Sequence, residues 1–511
     1  MESTTGDPTG FAGAAGHARA DDAPKVEVVR APRFKLYPTD EQRAELLAWE
    51  RSLKFLWNLC LEQWLMARGR PKADRDKLVA REPPSDAPPL GLWAHPSSVA
   101  QQRDLTALQD QCGDVPAVAA LKRVPRAAKA ALVISLETAW KRCFLGLGQQ
   151  PRFKGRADRA AIEVSAPFAS VDGDGWGATL KVPNMAPIRL RLHRRPPDGA
   201  VLKRVVVSRD VDEWFVAVSW GWREPAPAPL SWPIVGANRG VGCLVGLSTG
   251  ETFDNPRHGE RAAERLERRQ RVVSRRAEAR AARSLAVRRA IDAEDVGAVQ
   301  RALVGEAPGS AFCRWVNAML RWADGGRRGD PPRCPQGANE LKAREAVAKV
   351  HRKVRRQRDH TTHVVSKALA ERAGVLVVED MSIRRMTASA AGTAESPGEG
   401  VSRKSELNRS ILDSGWGAIA SKADYKLRAR GGSLARVDPA YASQTCSRCG
   451  HVDAASSIDA RTFRCSACGF ESQSDVNMAT NLAARYEPPR GAASPAPRKK
   501  TKVILKGRRA R

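Results

Sequence analysis

Two sets of residues in this chain have the types and spacing for chemistry. The first is Cys446-x2-Cys449, fifteen residues, then Cys465-x2-Cys468. Each pair can bend two thiolates around one corner of a metal, and four thiolates complete a tetrahedral zinc shell. Gly450 and Gly469 follow the pairs, where a tight turn needs a backbone without a Cβ. A closed shell leaves no position for substrate, so the zinc expected is structural, with His451 as a bystander. The other cysteines (Cys60, Cys112, Cys143, Cys243, Cys313, Cys334) are scattered singly, which favours a metal site over a disulfide frame.

The second set is acidic. Glu379 ends the apolar run "GVLVV", and Asp475 precedes a helical stretch in "SQSDVNMATNLAAR". Two-metal phosphodiester cleavage needs carboxylates that hold two Mg²⁺ ions about 4 Å apart. An RNase H-like sheet supplies them from mid-strand, from the end of a later parallel strand and from the start of a late helix. Glu379 suits the second place and Asp475 the third. The first would fall in "IVGANRGVGCLV", where Asn238 stands. Strand-end and helix-start acids also occur for structural reasons alone. Asp380 should face the opposite side of its strand from Glu379, whereas Asp254, beyond the hairpin, could stand in for a missing carboxylate. His360 and His363, in "DHTTH", read as contacts on a basic helix rather than as a metal pair.

The elements that must position these residues lie in a chain of 511 residues, long enough for two to four modules. Its net charge of +30 and pI near 10.4 point to a polyanion partner, nucleic acid. No run of eighteen apolar residues is available to span a membrane. The start lacks a basic leader and an apolar stretch, so a cytoplasmic, nucleoid-associated protein without a secretory signal is expected. Residues 1–26 read as a disordered tail. "KVEVVRAPRFKLYPT" reads as a strand, and apolar residues from Leu46 to Trp64 at helical spacing follow it, with a helix start near Asp40. A Pro-rich connection (83–98) leads to further helices, and short β-type runs separated by Gly, Asp and Pro fill 160–222.

An Arg-rich helical stretch covers 257–300. A second basic helix follows, with Val347, Val350 and Val354 as its apolar stripe and Lys349, Arg352, Lys353, Arg355, Arg356 and Arg358 crowding the rest. Acids are nearly absent after Glu345, so i,i+4 pairing should not neutralise it, and the helix is read as lying along phosphates. The chain closes on a basic tail.

The succession "VGANRGVGCLVGLSTG", "AGVLVVEDMSI", "NRSILDSGWG", "DPAYASQTCSRCG", "FRCSACGF" and "SDVNMATNLAAR" resembles the RuvC-type nuclease half of the TnpB family, to which compact type V CRISPR effectors are similar. "FKLYPTDEQRAELL" and "QQPRFKGR" resemble the opening of the same family. The likeness spans most of residues 27–486, and its C-terminal third is the specific part. It implies a multidomain α+β protein. A β-barrel-like wedge module would take 27–37 and 159–230, with a helical recognition module inserted at 38–158. A RuvC-like domain would take 231–256, 257–440 and 475–486, with an Arg-rich helical insert at 257–358, a zinc ribbon at 441–474 and a basic tail at 487–511. The implied partners are a guide RNA and double-stranded target DNA, as a monomer or a dimer, with no membrane; the implied cofactors are Zn²⁺ and Mg²⁺.

The family pattern places catalytic acids at positions matching 238, 379 and 475, and the chain departs at Asn238. A unit-charge contact near 4 Å is worth about 4 kcal/mol at an effective dielectric of 20, and a divalent partner roughly doubles it. Losing even a few kcal/mol at the metals slows chemistry on the order of a hundredfold, so Mg²⁺ should be weakly held. The expectation is an RNA-guided, type V effector-like binder that silences by occupancy with little or no cleavage. Its alternatives are an active RNA-guided endonuclease, a nuclease-dead transposon-derived repressor and, behind both, a DNA-strand-transfer enzyme. The size of the helical and Arg-rich inserts favours the CRISPR context over the transposon one.

Overall fold

The computed structural model describes residues 24–69, 96–155, 158–327, 331–393, 396–456, 459 and 461–488. Most of the expected N-terminal tail, of the Pro-rich connection and of the basic C-terminal tail lies outside these residues. The chain divides into two compact units, Met1–Ala226 and Pro227–Arg511, four residues before the boundary expected from sequence.

The first unit starts with β1 (Lys25–Arg30) and β2 (Arg33–Tyr37), so the opening strand begins two residues inside the expected tail. Helices α1 (Asp40–Gly69), α2 (Ser98–Gln111), α3 (Pro116–Arg123) and α4 (Arg126–Phe144) follow. Then come β3 (Ile162–Ser165), β4 (Ser170–Asp172), β5 (Thr179–Val182), β6 (Met185–Leu190), β7 (Val201–Asp210) and β8 (Glu213–Pro225). The start of α1 is set by Thr39, not Asp40. The Thr39 N–H donates to Gln42 Oε1 at 3.0 Å and the Gln42 N–H donates to Thr39 Oγ1 at 3.2 Å, a reciprocal capping box.

The sheet runs β3-β7-β8-β2-β6-β5-β4, with β1 also on β8. It is an open path with β3 and β4 at its edges, so the barrel-like module is a half-barrel. Long β8 organises it: β7 pairs along one edge, while β2 and β1 divide the other. Period-two alternation sends Phe34, Leu36, Val216 and Val218 inward, where they meet Leu46, Trp49 and Leu53 of α1 and Trp140 of α4. Helices and sheet therefore share one hydrophobic core instead of forming two.

The second unit opens with β9 (Ile234–Asn238), β10 (Cys243–Leu247) and β11 (Thr252–Asp254). Four helices follow: α5 (His258–Asp292), α6 (Val296–Leu303), α7 (Ala311–Asp324) and α8 (Ala338–Arg372). The remainder is β12 (Val375–Glu379), α9 (Ile383–Met386), α10 (Val401–Ser414), α11 (Trp416–Arg428), β13 (Ser433–Val437), the hairpin β14 (Thr462–Arg464) and β15 (Glu471–Gln473), and α12 (Ser474–Ala484). The main sheet has the order β11-β10-β9-β12-β13. Its first three strands are antiparallel, and β9, β12 and β13 are parallel. An antiparallel meander beside a parallel pair is the RNase H-like arrangement expected from the sequence.

Strand β12 is buried on both faces, as a strand between helical layers must be. Leu376 and Val378 pack with Leu369 of α8 and Ile419 and Leu427 of α11. Val375 and Val377 pack on the other side with Leu482 of α12. Between α5 and α8, the insert formed by α6 and α7 packs on the end of α5 in a small separate core that includes Val287 of α5 and Phe312, Trp315, Val316 and Met319 of α7.

Candidate functional site

Alternation decides which strand residues face α12. In β9, Val235 and Ala237 belong to the core under α8 and α11, so Gly236 and Asn238 point the other way. In β12 the same rule puts Glu379 on the face of Val375 and Val377. Helix α12 approaches this face very closely. A Cβ on Gly236 would lie 1.9 Å from the Ala479 carbonyl oxygen, and one on Gly246 would lie 2.7 Å from Asp475 Cβ. Gly246 is the cross-strand partner of Asn238. Two missing side chains thus let the helix settle until Asp475 meets β9.

The contact is a hydrogen bond from Asn238 Nδ2 to Asp475 Oδ1 at 2.6 Å. Asn238 is buried. Burial pushes the Asp475 carboxyl above its ordinary range, and the bond from Asn238 opposes that shift. Glu379 does not join them. It is almost fully buried and forms an ion pair with Arg239, Nε to Oε2 at 3.1 Å. Arg239 also donates from Nη2 to the Glu379 carbonyl oxygen at 2.7 Å and from its backbone N–H to Oε1 at 3.4 Å. Desolvation raises the Glu379 pKa and lowers that of Arg239. The Arg239 guanidinium, which stays charged in proteins, opposes the rise on Glu379 without cancelling it.

Arg239 is the functional residue that sequence reasoning missed. An arginine one place after a candidate site reads as surface, and only the fold shows its side chain 3% exposed. Its consequence for Mg²⁺ is direct. Of the three positions one is an amide, and each remaining carboxylate already has a partner. Among the described residues, the single group of three or more metal-capable side chains is the cysteine cluster. Asp380 is exposed, and Asp254 lies opposite Cys243 at the sheet edge. Neither supplies the missing anion in such a group, and His360 and His363 form none. As arranged, these residues do not fit a pair of magnesium ions.

The cysteine cluster fits its metal. The four sulfurs lie within 4.8 Å of one another, with Cys446–Cys468 at 3.8 Å and Cys449–Cys465 at 3.6 Å. Zn–S bonds of about 2.3 Å in a tetrahedron require sulfurs about 3.8 Å apart. The two knuckles are equivalent: Gly450 N–H donates to the Cys446 carbonyl and Gly469 N–H to the Cys465 carbonyl, and both glycines have positive φ, 76° and 66°. Backbone geometry therefore prepares all four ligands. The ribbon is tied to α12 by two asparagines one helical turn apart. Asn477 donates to the Thr445 carbonyl at 2.9 Å and accepts from the Ser447 N–H at 2.9 Å. Asn481 donates to the Ala442 and Thr445 carbonyls at 2.9 and 2.7 Å. The helix that carries Asp475 is thus seated on the ribbon.

A third feature is cationic. Helices α5 and α8 enclose a cleft of about 640 Å³ whose lining includes Arg261, Arg265 and Arg269 from one side and Lys349 and Lys353 from the other, with Val350 and Val354 among its apolar residues. A neighbouring groove is lined by Arg352, Lys353, Arg356 and His360. Lys349 and Arg358, both among the expected contact residues, have acidic partners. Lys349 pairs with Glu345 at 2.7 Å, so the i,i+4 neutralisation expected to fail does operate there. Arg358 pairs with Asp413 at 2.5 Å, and the same carboxylate accepts the Gly259 N–H at the start of α5; Arg358 joins helices. Arg355 has no place in either groove lining.

A Cas12f1-like TNB domain model matches residues 416–482, the stretch from α11 through the ribbon to α12. A helix-turn-helix domain model named for OrfB of IS605 matches residues 28–70. An Escherichia coli K12 protein named "Putative RNA-guided DNA endonuclease InsQ" is 27% identical over 68% of this chain and 71% of its own. A Streptomyces pristinaespiralis protein, "Putative RNA-guided DNA endonuclease", is 27% identical over 90% of this chain and 89% of its own. The chain is similar to proteins named as putative RNA-guided DNA endonucleases. A solved Cas12f1–sgRNA–target DNA complex aligns over 89% of this chain and 99% of that one, at 11% identity and a TM-score of 0.39, too distant to inform site geometry. Within the matched N-terminal stretch this chain places β1, β2 and the single long helix α1. No helix among the described residues is long and apolar enough to cross a membrane.

Proposed function

We propose that this chain is an RNA-guided DNA-binding protein that acts by occupying its target and does not cut it. The observation that carries the reading is the Asn238–Asp475 hydrogen bond beside the buried Arg239–Glu379 pair. The fold that would hold two Mg²⁺ ions keeps its shape through internal hydrogen bonds and ion pairs instead. Guide RNA and target duplex are the partners that the relatives' names suggest, and a charge of +30 with the cleft between α5 and α8 is what a phosphate-rich ligand requires. Lys349, Arg352, Lys353 and Arg356 are the α8 residues assigned to it. Target sequence would be read by base pairing, with the protein sensing the shape of the heteroduplex. Bound DNA is then closed to transcription.

The genomic context we favour is that of a compact type V effector, with a transposon-derived repressor as the alternative. Both relatives named above match most of their own length, and the Cas12f1 of Sulfoacidibacillus thermotolerans is 28% identical over 32% of this chain. Cutting by an active endonuclease is the rival reading, on the strength of those same names.

The test is a purification from the native host followed by sequencing of co-purified RNA, then incubation of the loaded complex with matching duplex and Mg²⁺. The expected outcome is guide-dependent binding that weakens steeply with salt and leaves the DNA intact. Prompt cleavage by the unaltered chain would overturn the occupancy reading. Protein that carries no RNA and ignores added guide would overturn RNA guidance.

A further inference from the structure

The first unit carries a surface that the nuclease centre does not explain. We propose that the outward face of its sheet, around Tyr37 and Trp176, is a stacking platform for unpaired RNA nucleotides. The proposal rests on the RNA-binding half of the function above and is independent of whether the chain cuts DNA.

Alternation builds the platform. In β2, Phe34 and Leu36 point into the core while Lys35 and Tyr37 point out; in β6 and just beyond it, Ile188, Leu190 and Leu192 are buried while Arg189 and Arg191 are exposed. Tyr37 and Arg189 are cross-strand partners. Trp176 lies in the turn before β5, which is fixed by a bridge between Gly175 and Leu192 and a 2.8 Å hydrogen bond from the Leu192 N–H to the Gly175 carbonyl. Trp176 is 56% exposed and Tyr37 38%. Their ring centroids lie 5.6 Å apart at 46°, and the Arg191 guanidinium sits 4.7 Å over the indole.

A solvated sheet face has no use for an exposed tryptophan held by its neighbours. The neighbouring cations also point to an anionic ligand. Lys35 is taken by Glu213 and Lys181 by Asp172, but among the described residues neither Arg189 nor Arg191 has an acidic partner. Two exposed rings flanked by two uncompensated guanidinium groups suit bases and their phosphates together. The bases must be unpaired, because a base within a duplex presents no face to stack on, whereas single strands are bound by aromatic platforms in cationic grooves. Duplex contacts would use the cations and leave the rings idle.

The experiment uses the full chain and measures affinity for a ten-nucleotide oligouridylate and for an RNA duplex of equal length, together with ultraviolet crosslinking mapped by mass spectrometry. Trp176→Ala should weaken single-strand binding about 5- to 150-fold, as loss of one stacked base does. Trp176→Phe should retain most of it, and Tyr37→Ala should fall between the two. Binding to duplex should change little, and the crosslink should fall on the peptide containing Trp176. A melting temperature equal to wild type verifies that the exposed substitutions leave the fold intact. Equal single-strand affinity in Trp176→Ala and wild type, with no crosslink at that peptide, would sink the platform and leave RNA guidance standing. A wild-type chain that binds neither RNA, with or without its guide, would remove both.

Discussion

Helix α12 borders two clusters of metal-capable residue types, and their geometries differ. The cysteine cluster keeps all four ligands at tetrahedral separations. The acidic cluster keeps two carboxylates of three, turns one toward an amide and the other toward a guanidinium. Both remain folded. A site that loses one anion does not collapse if neighbours supply hydrogen bonds and positive charge in place of the metal. The comparison separates two roles that metals share in proteins, holding structure and doing chemistry. In this chain the ribbon has the geometry for the first role, and on the proposed reading the acidic cluster no longer serves the second.

The largest expected effect comes from removing the metal that the ribbon would hold. Metal binding free energies of structural zinc sites are folding free energies, of order 10 kcal/mol in isolated fingers. Zinc analysis of purified protein should give one ion per chain. Cys465→Ser, or chelation, should abolish amide-exchange protection across residues 441–474 and loosen α12, whose Asn477 and Asn481 hold the Thr445 carbonyl. Protection that survives in Cys465→Ser would show that the ribbon holds itself without a metal, and the two clusters would no longer contrast.

Next in size is the buried pair. Removing one partner of a buried ion pair costs about 3–5 kcal/mol, because the other charge is left unpaired, while replacing both with apolar groups is often nearly neutral. Arg239→Met should therefore destabilise strongly in denaturant unfolding, and a double substitution with Glu379→Leu should recover much of the loss. By contrast, Arg464 and Glu471 on the ribbon hairpin are both more than half exposed, and breaking that pair should cost about 1 kcal/mol or less. If Arg239→Met costs no more than the ribbon pair, Arg239 is not what neutralises Glu379.

The third effect reverses the comparison. Asn238→Asp would bring two carboxylates to the 2.6 Å separation now spanned by a hydrogen bond, a geometry in which both ionise only with a cation between them. The variant should melt lower than wild type without Mg²⁺ and recover on adding it, while wild type should not respond. Cleavage should return in part, limited by the Arg239 hold on Glu379. A wild-type melting temperature that already rises with Mg²⁺ would contradict the disarmed centre.

What the sequence disclosed follows from how locally each feature is written. Cysteine spacing, the apolar run of β12 and the alternation around Asn238 are short-range patterns, and the ribbon, the parallel strand and the face shared by Asn238 and Glu379 can be read from them. Arg239 was hidden because its burial depends on a partner 140 residues away. Arg358 reads as a phosphate contact because its acid, Asp413, lies on another helix. The shared core of α1 and the half-barrel was equally unreadable, since helical periodicity reports that a face is buried but not against what. The Thr39–Gln42 capping box is local enough to be legible, although Asp40 beside it is an equally good candidate from residue type alone.

The smallest effect concerns the half-buried Asp475. Its pKa is raised by desolvation, so its protonated form is favoured in the folded state. The stability this contributes is complete below the unfolded carboxylate pKa and is lost as pH rises through the folded value. At neutral pH the ionised side chain therefore sits at a cost, offset in part by the Asn238 amide. Asp475→Asn removes that cost and can still accept a hydrogen bond from Asn238. The variant should be more stable than wild type at pH 7, with the gain fading as pH falls through the carboxylate range, while Cys465→Ser should be destabilised at both ends. An Asp475→Asn curve parallel to wild type across that range would mean that water still reaches the carboxylate and that the pocket is open enough to take an ion.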